Sequence, residues 1–232
     1  MARLTATPIV ALDVPATADA LALADALGTR CRFYKVGGEL FTAAGPAVVR
    51  AVRERGAEVF LDLKFHDIPN TVRGSVRSAS ALGASLLTVH ASGGRAMLEA
   101  AVDGAGDRVR VLAVSVLTSL DAAGVGEAWG RDVARVEDEV LRLSDLAVAA
   151  GVHGLVCSGV EAALVHERHG DRLGLLIPGI RLAGGATHDQ SRVVTPRQAV
   201  EAGARWLVLG RAVTGTEDPA RAMEQVLGEL AS

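Results

Sequence analysis

The composition of the chain limits the classes of protein to which it can belong. It has 232 residues, of which 50% are hydrophobic and only 3% aromatic, so Ala, Val and Leu must build most of its interior. That length suits one large domain, and we expect residues 1–232 to form a single domain. The net charge of −3 gives no general attraction to nucleic acid or to an anionic membrane. Any binding of phosphate must therefore depend on a few placed side chains.

Cysteine content and the N-terminal sequence predict a soluble cytoplasmic protein. Cys31 and Cys157 are the only cysteines, too few and too far apart for a disulfide framework or a zinc motif. Buried free thiols are the expected state of both. The first eight residues contain no apolar segment of signal-peptide length, and no run of the sequence approaches a membrane span.

Eight apolar runs of strand length alternate with segments of helical periodicity. The predicted strands are Ile9–Val14, Phe33–Gly37, Val59–Lys64, Leu86–Ala91, Val111–Leu117, Gly154–Ser158, Leu175–Pro178 and Trp206–Leu209. The predicted helices include Thr17–Leu27, Gly45–Arg55, Thr71–Leu82, Gly94–Val102, Val136–Ala150, Val160–His169, Pro196–Ala202 and Pro219–Leu230. This alternation indicates a parallel sheet covered by helices. Eight such units in this length favour a closed (β/α)8 TIM barrel over an open doubly wound sheet.

Two observations complete the prediction of the fold. The first strand is not followed by Gly-x-Gly-x-x-Gly, which disfavours a dinucleotide-binding fold. The longest irregular stretches are Ser119–Asp132 and Arg181–Val194, and we expect the second, which is rich in glycine, to act as a mobile lid.

Three charged residues cluster where the third predicted strand ends, in Phe60-Leu-Asp-Leu-Lys-Phe-His-Asp-Ile-Pro-Asn-Thr-Val72. Because side chains alternate between the faces of a strand, Asp62 and Lys64 share one face with Phe60, and the apolar residues between them share the face covered by helices. Charged groups at a buried strand end are costly unless they are paired. A structural ion pair is the simplest interpretation. The C-terminal ends of barrel strands are, however, where active sites collect, which favours a functional role for Asp62, Lys64 and Asp67.

Other polar residues end the remaining strands and would lie on the same rim of a closed barrel. They are Asp13, Lys35, His90, Ser92, Thr118, Ser119 and Ser158, of which Ser158 is interpreted as a helix cap. Glycines and an arginine follow strands seven and eight, in Ile177-Pro-Gly-Ile-Arg181 and Val208-Leu-Gly-Arg211. In barrels this is the usual place for a phosphate group. Two surface arginines are the alternative interpretation.

These motifs together resemble the orotidine 5′-phosphate decarboxylase family in its short bacterial form. The stretch from Asp62 to Thr71 is similar to the Asp-x-Lys-x-x-Asp signature of that family. Ala11-Leu-Asp-Val, Tyr34-Lys-Val-Gly, Val116-Leu-Thr-Ser, Pro178-Gly-Ile-Arg and Leu209-Gly-Arg follow in family order, so the resemblance covers nearly the whole chain. It implies a TIM barrel that converts orotidine 5′-phosphate (OMP) to uridine 5′-phosphate (UMP) and CO₂, the last step of pyrimidine nucleotide synthesis, without a cofactor or a metal.

The resemblance also implies roles for single residues. Lys64 would donate the proton, Asp62 would lie beside the substrate carboxylate, and Asp13 and Lys35 would hold the ribose hydroxyls. Asp67 and Thr71 would reach into the site of a partner subunit, which makes the expected assembly a homodimer. The remaining expected contacts are Thr118 to the pyrimidine and Arg181, Gln190, Gly210 and Arg211 to the phosphate.

Two rival functions fit part of the sequence. A Mg²⁺-dependent sugar-phosphate lyase or decarboxylase, of the hexulose-phosphate synthase or ketogulonate-phosphate decarboxylase type, shares Asp-x-Lys-x-x-Asp but differs in the residues that follow. A non-catalytic barrel that binds nucleotide phosphates would not need Lys64 between two carboxylates. The histidines indicate no metal site, and His166 and His169 are expected to be a solvated pair.

Overall fold

Eight parallel strands close into a barrel in the computed structural model, which describes residues 6–182 and 193–231. They are β1 (Thr7–Ala11), β2 (Phe33–Gly37), β3 (Glu58–Phe65), β4 (Leu86–His90), β5 (Arg110–Val114), β6 (Gly154–Val156), β7 (Gly174–Ile177) and β8 (Ala204–Leu209). Each strand pairs with the next, and β8 pairs with β1. The predicted (β/α)8 barrel is confirmed, with strand ends that differ from the predicted ones by up to three residues.

Helices cover the outside of the barrel. They are α1 (Thr17–Leu27), α2 (Gly38–Ala44), α3 (Pro46–Glu54), α4 (Pro69–Ala81), α5 (Arg95–Ala105), α6 (Ala122–Trp129), α7 (Val136–Ala149), α8 (Gly159–His169), α9 (Pro196–Glu201), α10 (Arg211–Thr214) and α11 (Pro219–Leu230). Short 3-10 turns occur at Gly28–Arg30, Ala91–Gly93 and Gly170–Arg172. Within the described ranges, no helix is both long enough and apolar enough to cross a bilayer.

The first predicted irregular stretch is wrong, because helix α6 lies inside it. Asp121 caps the helix by accepting a hydrogen bond from the Gly124 N–H at 2.8 Å, and Gly130 ends it in the left-handed conformation. The helix was not predicted because it contains glycines, which lower helix propensity. Of the predicted lid, residues 183–192 lie outside the described residues. Its two ends are paired, because the Arg181 N–H donates to the Val194 carbonyl at 3.0 Å.

Two apolar layers hold the barrel together. The inner layer fills the barrel and consists of Ile9, Ala11, Phe33, Phe60, Leu86, Leu112, Leu176, Trp206 and Val208, with Val156 packed against them. The outer layer packs between strands and helices and takes the alternate residues, as Val10 and Leu12 show beside β1. Burial of each large apolar side chain contributes roughly 1.5–3 kcal/mol. The inner layer therefore closes the barrel and forms an apolar floor beneath its C-terminal rim.

The pairing of β3 with β4 is interrupted where the charged residues of β3 lie. Leu61 pairs with Leu87 and Phe65 pairs with Val89, so residues 62–64 of β3 lie opposite Thr88 alone. This β-bulge gives β3 two extra residues. At the bulge Lys64 has φ 48°, a left-handed conformation that side-chain-bearing residues rarely adopt. Bulges next to active sites typically redirect a side chain.

Two minor predictions have opposite outcomes. Both cysteines are buried free thiols, as expected. The solvated His166–His169 pair is wrong for His169, which is buried with its Nε2 2.8 Å from the Ser144 hydroxyl. Helix α8 turns that ring toward α7, where the hydroxyl provides a partner for it.

Candidate active site

A cavity of about 230 Å³ opens at the C-terminal ends of the strands, directly above the inner layer. Its lining residues are Asp13, Lys35, Phe60, Asp62, Lys64, Val114, Val116, Leu117, Thr118, Val156, Leu176, Pro178 and Val208. The charged members come from β1 to β3 and the apolar members mostly from β5 to β8. The cavity therefore has one charged wall and one apolar wall, which suits a flat polar ring that carries an anionic substituent.

The charged wall is a continuous chain of alternating acids and amines. Lys35 Nζ lies 2.6 Å from Asp13 Oδ1 and 3.7 Å from Asp62 Oδ2. Lys64 Nζ lies 2.7 Å from Asp62 Oδ1. Two carboxylates and two ammonium groups have no net formal charge, so each buried member is compensated by a neighbour. We call Asp13, Lys35, Asp62 and Lys64 the charged array.

Asp62 is the centre of this array. Burial disfavours its charged form, but the ammonium groups of Lys64 and Lys35, with hydrogen bonds from Lys64 and Thr88, hold its pKa below the ordinary value of a carboxyl group. Its side chain is 14% exposed, whereas that of Lys64 is 38% exposed and that of Asp13 is 57% exposed. The array thus runs from a buried carboxylate outward to groups that a ligand can reach.

Two residues for which the sequence predicted no role shape the array. The Thr88 hydroxyl, fully buried on β4, donates to Asp62 Oδ1 at 2.9 Å and accepts from the Lys64 backbone N–H at 3.0 Å. At Gly37 a Cβ atom would stand 3.2 Å from both Asp13 Oδ1 and Lys35 Nζ. The absence of a side chain at this position leaves room for the salt bridge. Thr88 belongs to none of the motifs quoted above, and Gly37 ends Tyr34-Lys-Val-Gly without a predicted role. Both act through neighbours that only the fold supplies.

The alternation predicted for β3 is confirmed. Asp62 and Lys64 face the cavity with Phe60, and the apolar residues between them pack toward the helices. The structure also brings Asp13, Lys35 and Thr118 to the same cavity. Five of the predicted site residues therefore lie together.

Asp67 and Thr71 lie outside that cavity and are both exposed, Asp67 between β3 and α4 and Thr71 in the first turn of α4. The Asp67 carboxylate accepts from the Ile68 backbone N–H at 2.6 Å, and Ile68 itself is 67% exposed. Thr71 lines a separate shallow depression beside α4 with apolar walls that include Phe65 and Leu82. In a single subunit these two residues do not complete the charged array.

The residues expected to hold phosphate follow the strands that form the apolar wall. Arg181 is buried, three residues beyond the lining residue Pro178, and its Nη1 donates to the Ile180 carbonyl at 2.8 Å. Gly210 and Arg211 come directly after β8, and Arg211 is exposed at the start of α10. Gln190 lies outside the described residues.

The other polar residues of the predicted rim do not line the cavity. His90 is half-buried, with its ring centroid 5.5 Å from that of His66, and burial lowers the pKa of His90. Ser92 lies in a 3-10 turn, and Ser119 lines a different hollow beside α7. Ser158 caps α8 in a capping box with Glu161, as predicted.

The donor atoms in the cavity match organic ligands better than a metal ion. Asp13 and Asp62 each contact an ammonium group, and in the part of the chain that the structure describes no three His, Cys, Asp or Glu residues are grouped as metal ligands. A divalent cation would have to displace Lys35 or Lys64 from these carboxylates.

Comparison with known proteins identifies the family of the chain. The model of the orotidine 5′-phosphate decarboxylase / HUMPS family matches residues 7–226. A protein of Halorhodospira halophila named orotidine 5′-phosphate decarboxylase is 51% identical over 227 residues, covering 97% of this chain and 95% of that protein. One of the same name from Anaeromyxobacter sp. strain K is 53% identical over 220 residues, covering 95% of this chain and 96% of that protein.

A solved structure extends the similarity to three dimensions. The crystal structure of orotidine 5′-phosphate decarboxylase from Lactobacillus acidophilus superimposes with a TM-score of 0.87 at 34% sequence identity, covering 98% of this chain and 100% of that chain. Family model, full-length relatives and fold agree. The chain belongs to the orotidine 5′-phosphate decarboxylase / HUMPS family.

Proposed function

We propose that this protein decarboxylates orotidine 5′-phosphate to UMP and CO₂, the last step of pyrimidine nucleotide synthesis, without a cofactor. The observation that carries the proposal is the charged array, in which Lys64 lines the cavity with its ammonium group 2.7 Å from a buried carboxylate. The names of full-length relatives at about half identity support the same activity. A cytoplasmic location stays a prediction.

The two walls of the cavity suggest how the substrate would lie. The pyrimidine ring would pack on the apolar wall with Thr118 at its edge, and the ribose hydroxyls would bond to the exposed Asp13 and to the adjacent Lys35. The carboxylate on C6 would then lie against Asp62 and Lys64. The exposure of Asp13 supports this order, because an accessible carboxylate can exchange water for a hydroxyl group at little cost.

Lys64 is proposed both to stabilise the negative charge and to supply the proton. The bond between C6 and the carboxylate carbon breaks, CO₂ leaves, and the bonding electron pair stays on C6. The ammonium group of Lys64 stabilises that negative charge and then transfers a proton from Nζ to C6, after which the neutral amine regains a proton from solvent. Asp62 keeps the ammonium group aimed into the cavity through their salt bridge.

One ammonium group does not provide the whole rate enhancement. Two unit charges about 4 Å apart interact by roughly 4 kcal/mol at an effective dielectric of about 20, equivalent to about 10³-fold in rate. The rest of the rate enhancement would come from the ordering of the charged array and from binding energy of the distant phosphate. Repulsion between Asp62 and the substrate carboxylate in the ground state would contribute only a small part of the rate enhancement.

The phosphate is proposed to bind to Arg181, Gln190, Gly210 and Arg211. Arg181 and Arg211 follow two neighbouring strands whose residues line the cavity, which supports a shared role of these arginines in binding phosphate. Replacing Arg211 with Ala should reduce kcat/KM for OMP far more than for the phosphate-free nucleoside. Equal losses for both substrates would refute this role. Arg95→Ala, which removes an exposed ion pair on α5, is the matched control.

We further propose a homodimer in which Asp67 and Thr71 complete the partner's site. The exposure of Asp67 and of the neighbouring Ile68 supports this, as does the apolar depression beside α4, because a second subunit would cover all three. A fifth charged group, the partner's Asp67, would place Lys64 between two carboxylates. The dimer is a proposal about assembly that subunit mixing can test.

Mixing two inactive variants, Lys64→Ala and Asp67→Ala, tests the shared site. A hybrid dimer contains one site with neither defect, and random exchange makes half of the dimers hybrids, so activity should recover to about one quarter of the wild-type value. Native mass spectrometry of differently tagged subunits verifies that exchange has occurred. Exchange without recovery would rule out the contribution of Asp67 across an interface.

The decisive experiment is to follow UMP release from OMP with and without EDTA. Cofactor-free decarboxylation predicts the same rate in both. The family description also includes the HUMPS proteins, and a Mg²⁺-dependent sugar-phosphate lyase is the rival from this superfamily. Loss of activity in EDTA, with turnover of a hexulose phosphate, would favour that rival. Binding of UMP without any turnover would favour a non-catalytic barrel.

A further inference from the structure

We infer that Thr88 is a positioning residue of the active site, whose hydroxyl fixes the backbone of Lys64 and the carboxylate of Asp62 relative to each other. The inference deepens the proposed function and rests on it for its kinetic consequences. Thr88 does not line the cavity and is fully buried, so it acts only through these two neighbours.

The chemistry of the two partners determines which group donates and which accepts in each hydrogen bond of Thr88. A hydroxyl group has one proton, and an ionised carboxylate is an acceptor only, so the proton of Thr88 points to Asp62 Oδ1 at 2.9 Å. A lone pair of the same oxygen accepts the Lys64 N–H at 3.0 Å. The Lys64 N–H thus donates to the Thr88 hydroxyl, which in turn donates to the Asp62 carboxylate. Because both hydrogen bonds have the same direction, each polarises the other.

The bulge explains why a side chain is needed here. Residues 62–64 of β3 lie opposite Thr88 alone, so the regular ladder between β3 and β4 is interrupted at the residue that carries the amine. Lys64 also has φ 48°, which costs a residue with a Cβ atom free energy unless the surroundings impose it. The bond from the Lys64 N–H to Thr88 supports that conformation directly.

The side chain of Thr88 is well suited to this task. Its β-branched carbon restricts rotation about χ1, and its position on β4 is set by pairing with Leu112 of β5. The hydroxyl is therefore held by the regular part of the barrel and transmits that rigidity to the irregular part. Asp62 Oδ1 receives both Thr88 and Lys64 Nζ, so one oxygen atom ties the hydroxyl to the amine.

The test compares variants that differ by one hydroxyl group. Thr88→Val keeps the shape of the side chain and removes the oxygen, and Thr88→Ser keeps the oxygen. We expect Thr88→Val to lower kcat about 10- to 100-fold with UMP affinity within about threefold of wild type, and Thr88→Ser to recover most of the loss. The acidic limb of the pH dependence of kcat should move to higher pH in Thr88→Val, since a donor that stabilises ionised Asp62 is lost.

Ser144→Ala is the matched control, because it removes a buried hydroxyl on α7 that bonds to the Leu141 carbonyl and lies beside His169. It should lower the melting temperature without changing kcat or its pH dependence. If Thr88→Val does not fold, Thr88→Ser and Thr88→Ala form a second pair that differs by the same oxygen atom.

A titration separates this inference from the proposed function. Carbon-13 NMR of Asp62, assigned by comparison with Asp62→Asn, should show a higher pKa in Thr88→Val than in wild type, whatever reaction the protein catalyses. Absence of UMP release by the wild type would refute the proposed function alone. A folded Thr88→Val protein with wild-type kcat and an unchanged Asp62 titration would overturn the role of Thr88, as would a folded Thr88→Ser protein no better than Thr88→Ala.

Discussion

Replacing Lys64 separates its two assigned contributions, the positive charge and the proton. Loss of a charge about 4 Å from the reacting carbon removes roughly 4 kcal/mol, or about 10³-fold in kcat. Loss of a general acid removes a further factor of about 10² to 10⁴. Lys64→Ala should therefore reduce kcat by roughly 10⁵- to 10⁷-fold, whereas Lys64→Arg keeps the charge but does not release a proton near neutral pH and should lose only part of this factor.

The assay is single-turnover release of ¹⁴CO₂ from carboxyl-labelled OMP with enzyme in excess, combined with calorimetric titration of UMP. Binding of UMP should persist in both variants, because the apolar wall and the proposed phosphate contacts are unchanged. Arg95→Ala, an exposed cation in an i,i+4 pair on α5, should retain wild-type kcat. A Lys64→Ala protein within tenfold of wild-type turnover would refute the assignment. So would Lys64→Arg with the activity of wild type, since that side chain is no proton donor.

Three further predictions concern packing and titration. Gly37→Ala places a methyl group 3.2 Å from both ends of the Asp13–Lys35 salt bridge, so it should raise the KM for OMP several-fold while the melting temperature changes little; an unchanged KM would show that the pair is free to shift. Burial opposes the ionisation of Glu139, but its two arginine partners hold its pKa below the ordinary value. Ionised Glu139 therefore stabilises the fold above about pH 4.5, and this stabilisation is lost as the pH falls through the lowered pKa of the folded state. Glu139→Gln should accordingly lower the melting temperature by about 2–4 °C at pH 7 and by less at pH 3, and an equal difference at both values would contradict the linkage. Burial lowers the pKa of His153, whose Nδ1 accepts a backbone N–H at the start of β5. The stability of the fold should therefore decrease as the pH drops below about 6.5. In His153→Gln the melting temperature should depend less steeply on pH between about pH 7 and 5.

The sequence was sufficient to predict the parts of the site that depend on regular structure. Strand alternation placed Asp62 and Lys64 on one face, and the order of strands in a closed barrel placed Asp13 and Lys35 beside them. Those inferences need only the period of a strand and the common rim of parallel strands. All four residues line the cavity as these inferences predict, although Lys64 does so from a bulge that strand alternation alone does not predict.

The parts that the sequence could not predict depend on irregular structure. Thr88 lies in an ordinary apolar run, and its contact with Asp62 arises only because two extra residues of β3 are accommodated opposite it. Pairing register is a property of two strands and is not encoded in either one alone. Helix α6 was missed for a related reason, since its glycines contradict the helical preference and its caps at Asp121 and Gly130 provide the compensation.

The bulge in β3 has a consequence for anyone who would build this chemistry into another scaffold. Copying an acid, a spacer and an amine onto an idealised eight-stranded barrel would reproduce the sequence motif without its backbone conformation. The amine side chain would then leave the strand at a different angle. A successful graft has to carry over the insertion of two residues, the unusual dihedral at the lysine and the opposing threonine as one unit. The smallest transferable piece of this enzyme is thus a pair of neighbouring strands.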